Sequence, residues 1–154
     1  MFLDQANTLL EKVKAAGAQG DVIIDSGQSL SLKANAGELE EHKVSSSQIF
    51  GLRVIKDKKI GMAYSESNDE AALDELVKQA LTNASFGEEN EYETILDTQA
   101  ILKTDDSILC PEDSSSINDK IELVLKLERE LAEKDKIQNV PYNGVADGIA
   151  ERSV

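Results

Sequence analysis

Residues 50–64 read FGLRVIKDKKIGMAY, two apolar runs joined by the charged break Lys56-Asp57-Lys58-Lys59. Phe50, Leu52 and Val54 fall on one face of the first run, with Ile49, Gly51, Arg53 and Ile55 on the other. Apolar residues on both faces predict a central strand covered from two sides. The charged break predicts a hairpin tip. On the return strand Ile60, Met62 and Tyr64 share one face, while Gly61 and Ala63 leave the opposite face nearly bare. A sheet face that thin has room for a bulky element at close range, most simply a helix. No other feature of the chain constrains the fold as much.

The helix follows at once. Ser67-Asn68-Asp69-Glu70 predicts its start, with Ser67 as N-cap and Glu70 completing a capping box. Leu73, Leu76, Val77, Ala80, Leu81 and Ala84 then line one face, and Gly87 stands where a helix stops. An earlier helix is predicted from Phe2, Ala6, Leu9, Leu10 and Val13, ending near Gly17. Next, DVIIDSG predicts a short, mostly buried strand. QSLSLKAN predicts a half-exposed one, with Leu30, Leu32 and Ala34 opposite Ser29, Ser31 and Lys33. A turn at Ala36-Gly37-Glu38 leads into ELEEHKVSSS, a polar strand suited to a sheet edge.

Residues 87–113 change character, with nine acidic residues against one basic, Lys103. They read as an extended acidic connector anchored at Ile95, Leu96, Ile101 and Leu102; so long a loop is usually functional or a linker. Residues 114–154 predict a helix and then a β-hairpin. The helix carries Ile117, Ile121, Val124, Leu125 and Leu131 on one stripe, with Glu122–Lys126 and Glu130–Lys134 as i,i+4 pairs. The hairpin turns around Ala146–Gly148, and its second strand starts at Ile149. Since that strand is still running at Val154, a fragment of a longer chain is expected. The organisation is thus a core over 1–86, a connector over 87–113, and a completing helix and hairpin over 114–154. The fold class is α+β, a mainly antiparallel curved sheet of hairpins covered by about three helices.

Function classes fall away on composition. The chain carries 30 acidic and 16 basic residues, a net charge of −14, which repels a phosphate backbone. Direct nucleic-acid binding is not expected on that ground. No apolar run approaches the ~20 residues of a membrane-spanning helix, and the N-terminus is amphipathic, unlike a secretory signal. A cytoplasmic protein is expected. Cys110 is the only cysteine, so no internal disulfide and no multi-cysteine metal site can form. Its acidic neighbours disfavour a thiolate. His42 is the only histidine and lies among Glu40, Glu41 and Lys43, the pattern of a surface residue. Adjacent carboxylates such as Glu40–Glu41 point to opposite faces of a strand. No catalytic, cofactor-binding or metal-binding residue is assigned. Arg53, the one polar residue on a predicted central strand, is either a buried ion-pair partner or a cation facing a ligand or an interface.

The order of these features resembles a known family. A first helix ending in AAGAQGDVIID, a strand pair carrying AGELEE, and GLRVIKDKKIGMAYSES before the helix ALDELVKQAL are similar to the N-terminal domain of the TldD/PmbA family, once labelled modulators of DNA gyrase. The resemblance covers residues 1–85 and resumes over about 115–154. It implies a non-catalytic domain of a cytoplasmic metallopeptidase subunit acting on unfolded peptides. Such a domain would shape a substrate chamber and a subunit interface. Zinc is implied only for the C-terminal half of a TldD-type partner subunit, whose His-Glu-x-x-x-His helix has no counterpart here. ILCPEDSSSINDKIELVLKLERELAEKDK and ERSV look more PmbA-like. The alternative is a stand-alone binding or regulatory module with no enzymatic activity.

Overall fold

The computed structural model describes residues 2–95 and 105–154. In chain order the elements are α1 (Leu3–Ala15), β1 (Gln19–Asn35), β2 (Glu38–Lys56), β3 (Lys59–Ser65), α2 (Glu70–Phe86), α3 (Asp106–Leu109), α4 (Ile117–Ala132) and β4 (Gly144–Ser153). The strands form one open antiparallel sheet in the order β3-β2-β1-β4. The expected α+β class is therefore found. The elements pack as two units. One holds the described residues up to Ser26, from Ser47 to Ile95 and from Ala150 onward; the other holds Gly27–Ser46 and residues 105–149.

In the first unit the hairpin forms where its charges predict. Asp57 and Lys58 both take positive φ, 51° and 62°, as a two-residue type I′ turn requires. That turn sets the register Lys56↔Lys59 through Phe50↔Ser65. Gly61 and Ala63 consequently share a face with Val54 and Leu52. α2 lies on that face so closely that a Cβ on Gly61 would sit 2.0 Å from the Ala80 carbonyl oxygen and 2.3 Å from the Ala84 nitrogen. Leu73, Leu76, Val77, Ala80 and Ala84 of α2 then bury against Phe50, Leu52 and Val54. Val22 and Ile24 of β1 and Leu9 and Val13 of α1 complete this core, and Phe2 meets Phe50 edge-to-face at 6.3 Å. Lys12 pairs with Asp74 between α1 and α2, and the Lys56 ammonium donates to the Ala16 carbonyl, where α1 leaves its last acceptors unpaired.

Four expectations change here. The N-cap of α2 is Asp69, not Ser67: its Oδ1 accepts the Ala72 N–H at 2.8 Å, while the Ser67 hydroxyl bonds the Asp69 carboxylate. A carboxylate nearer the first buried residue, Leu73, meets the positive end of the helix dipole more directly than a hydroxyl two residues upstream. DVIIDSG and QSLSLKAN are one continuous strand, because Gly27 adopts extended backbone without interrupting the pairing. The polar segment ELEEHKVSSS likewise runs on into FGLRVIK as a single nineteen-residue strand. Finally, β2 is central but its second face is covered only in part, at Ile55 beside the hairpin tip. Phe50, Leu52 and Val54 are buried, whereas Met62 and Tyr64 across the sheet are 61% and 69% exposed.

In the second unit α4 covers β1. Its capping box is Ser116 with Asp119. Val124 is fully buried against Leu32 and Ala34, with Leu30, Leu39, Ile121, Leu125 and Val145 around them. The ion pair formed along α4 is Lys126–Glu130 at 3.7 Å rather than the expected Glu122–Lys126 or Glu130–Lys134. Residues 144–153 form one strand, β4, in place of the expected hairpin. Ala146 to Gly148 stay extended because β4 pairs with β1: Ala34 N–H donates to the Asn143 carbonyl, and Gly148 lies over Gln28 and Ser29. Of the proposed connector anchors, Ile95 is half-buried, and Leu96, Ile101 and Leu102 lie outside the described residues.

Two outcomes follow from this packing. Gly61→Ala should destabilise the chain by about 3 kcal/mol, since the obstruction is helix backbone rather than a side chain that can turn away; urea unfolding measures it, and an unchanged midpoint would refute the close contact. The second concerns acid. Asp113 accepts from Lys120 and from Ser115, which hold its carboxyl at about 2, below the ordinary 3.8. A depressed carboxyl stabilises the fold above its unfolded value and loses that contribution as pH falls. Wild-type stability should therefore drop more steeply than that of Asp113→Asn between about pH 4 and pH 2, as urea midpoints across that window would show.

Candidate functional site

The uncovered face of the first unit is built by register. Cross-strand partners share a face, so Gly51 and Arg53 stand beside Tyr64 and Met62. β1 adds Asp21, Ile23 and Asp25 at alternate positions, since Val22 and Ile24 point into the core. Gly51 supplies no side chain, and Ile23 lies 3.3 Å from where its Cβ would be. A shallow hollow of about 340 Å³ results, lined by Ile23, Gly51, Met62, Ala63, Val154 and the Arg53–Asp21 pair.

Arg53 grips Asp21 side-on. Its Nε lies 3.0 Å from Oδ1 and 3.2 Å from Oδ2, and its Nη2 also bonds Oδ2. Both side chains are a little over one-third exposed. The hydrogen bonds to Asp21 raise the guanidinium above its ordinary pKa, and Glu93 adds a smaller attraction. A second pair repeats the arrangement four residues along β1. Arg152 Nε and Nη2 meet Asp25 Oδ1 and Oδ2 at 2.6 and 2.7 Å, which draws the Asp25 carboxyl below its usual range. Each cation on this face is thus matched by a carboxylate, and Ile23 lies between the two acids of β1. Of the two roles open to Arg53 from sequence, the ion pair is formed, at the surface rather than in the interior.

The second unit offers a different feature. β3 pairs with β2 only from Phe50 onward. Along Glu38–Ser46, β2 therefore has β1 on one side and, among the described residues, no strand on the other. Every residue of this stretch is exposed except Leu39 and Glu41, which are half-buried. Glu41 accepts from the Ser31 hydroxyl at 2.7 Å and the Lys33 ammonium at 3.0 Å, and these hold its carboxyl below the ordinary range. Among the described residues Glu40 receives only the neutral Asn35 amide, at 3.5 Å.

Sequence reasoning missed Glu128. It is 7% exposed and accepts the Gly37 N–H at 2.9 Å, tying α4 to the β1–β2 turn. Its spacing of four from Val124 placed it on the buried stripe, but its charge argued for solvent. His42 and Cys110 are exposed. Among the described residues no three His, Cys, Asp or Glu side chains converge as metal ligands, so these residues do not fit a zinc site. Nor is any described helix long and apolar enough to cross a membrane.

Residues 20–84 match the family described as PmbA/TldA metallopeptidase, domain 1. A search of curated proteins gives no match. Three solved structures share the fold. A protein described as a modulator of DNA gyrase from Bacteroides thetaiotaomicron has TM-score 0.71 and 16% identity over 99% of this chain and 37% of its own. TldE from Thermococcus kodakarensis has TM-score 0.69 and 20% identity over 96% and 33%. A protein described as a modulator of a DNA gyrase from Thermotoga maritima has TM-score 0.66 and 17% identity over 99% and 35%. The chain thus spans about a third of the length of these structures.

If the Arg53–Asp21 pair is a local surface tie, a double-mutant cycle of Arg53→Met and Asp21→Asn should give a coupling of about 0.5–1 kcal/mol in thermal unfolding. A coupling near zero would leave Arg53 free of a structural duty.

Proposed function

Because residues 20–84 carry the first domain of the TldD/PmbA family, we propose that this chain belongs to a PmbA-like subunit of a peptidase acting on unfolded peptides. In that subunit it is a non-catalytic part that shapes the substrate chamber and the interface with a TldD-type partner. The match to a metallopeptidase domain is the observation that carries this reading. Zinc, on the same reading, sits in the partner's C-terminal half, and the setting is cytoplasmic. An influence on DNA gyrase would be indirect, through removal of a protein that acts on it, because a chain of net charge −14 is repelled by DNA.

The edge Glu38–Ser46 supports a role in holding substrate. An unpaired strand offers backbone donors and acceptors to an extended peptide, and backbone pairing tolerates many sequences. An unfolded substrate presents what such an edge needs: free amide groups and no fixed shape.

Proline substitution in the assembled enzyme tests this. Successive N–H groups of an antiparallel strand point to alternate sides, so Lys43→Pro and Val44→Pro should differ in their effect on folding. The variant that keeps the thermal midpoint has lost an outward N–H. It should lower kcat/KM for a long unfolded peptide by about tenfold, the equivalent of roughly 1.4 kcal/mol. Unchanged cleavage by that variant would remove the edge from the mechanism.

A further inference from the structure

We infer that the β2 edge over Glu38–Ser46 selects extended segments rich in Lys or Arg over acidic ones, an inference that rests on the strand-addition reading above. Nine residues with no strand on their outer side among the described residues give about 30 Å of backbone for pairing. The side chains beside it add little apolar attraction, since Val44 is the one exposed large hydrophobe among them. Discrimination among peptides therefore falls to charge. Within the stretch Glu38, Glu40 and Glu41 stand against Lys43. Glu41 is already engaged by Lys33 and Ser31. Among the described residues no Lys or Arg pairs with Glu38 or Glu40, and both are exposed. A basic side chain on an added strand can approach these two carboxylates from solvent with little to displace.

The same charges disfavour the obvious competitor, a second copy of this chain. Two such edges paired in parallel register would set Glu38, Glu40 and Glu41 opposite their own copies, within molecules of net charge −14. Like charges across a sheet are destabilising, and charged edges are a common guard against self-pairing. An edge that repels its own copies by negative charge stays open to a chain of opposite charge.

Labelled nine-residue peptides alternating Thr with Lys, Gln or Glu test the inference by fluorescence anisotropy with the 154-residue chain. At about 50 mM salt the Lys peptide should bind about tenfold more tightly than the Gln peptide and the Glu peptide least, the spread narrowing at about 300 mM as charges are screened. Glu38→Gln with Glu40→Gln should weaken the Lys peptide several-fold and leave the Gln peptide unchanged. N-methylating alternate amides of the Lys peptide should abolish binding, a result independent of how any protein variant folds. Equal binding of the three peptides would overturn the charge selection while leaving strand addition intact. Undiminished binding of the N-methylated peptide would overturn both, as would failure of all three peptides to bind. Self-association of the chain at low salt would show that its charges do not guard the edge.

Discussion

The approach of α2 to β3 at Gly61 is the contact on which the first unit rests. A Cβ there would overlap the helix backbone at Ala80 and Ala84, so the two backbones meet with nothing between them. At that distance the short side chains Ala80 and Ala84 reach full burial, and Leu73, Leu76 and Val77 extend to the far strands. Each buried aliphatic side chain contributes on the order of 2 kcal/mol, and close packing decides how much of that is realised. Because α2 occupies one face of β3, Met62 and Tyr64 are left on the other, beside Gly51 and the Arg53–Asp21 pair. The same contact that builds the core thus determines which residues form the outer surface.

Much of this was legible in the sequence because it depended on local pattern. The pairing of small residues on β3 with an apolar stripe on α2 required no knowledge of distant parts of the chain. The hairpin tip at Asp57–Lys58, the turn at Ala36–Gly37 and the helix stop at Gly87 follow similarly from nearby residues. Errors came where two local signals competed. Ser67 and Asp69 both have N-capping side chains, and the choice between them depends on where α2 first touches the core. Gly27 and the stretch Ala146–Gly148 look like breaks, yet each lies in a strand whose neighbour keeps it extended. β4 pairs with a strand more than a hundred residues away in sequence, and no local window reports that.

The candidate surfaces were less legible than the fold. Arg53 stood out as a lone charge on an apolar strand, but its partner lies thirty-two positions earlier, where Asp21 resembles any other acid in an acidic chain. Glu128 shows the same limit from the other side. Its helical position pointed inward and its charge outward, and only the Gly37 N–H, which donates to it, resolves the conflict. The edge along Glu38–Ser46 was visible as polarity without a clear pattern. Its openness, however, depends on where β3 stops pairing, at Phe50.

The type I′ turn at Asp57–Lys58 has a consequence for how the hairpin is held to one alignment. A slip of one residue between β2 and β3 would carry every β3 side chain to the opposite face. Met62 would then meet α2 at the place where even a methyl group has no room. The helix therefore acts as a gauge of strand alignment: it can seat only on the pairing that the turn dictates. Turn and helix select the same arrangement from opposite ends of β3, and a misaligned hairpin has no helix to shelter it.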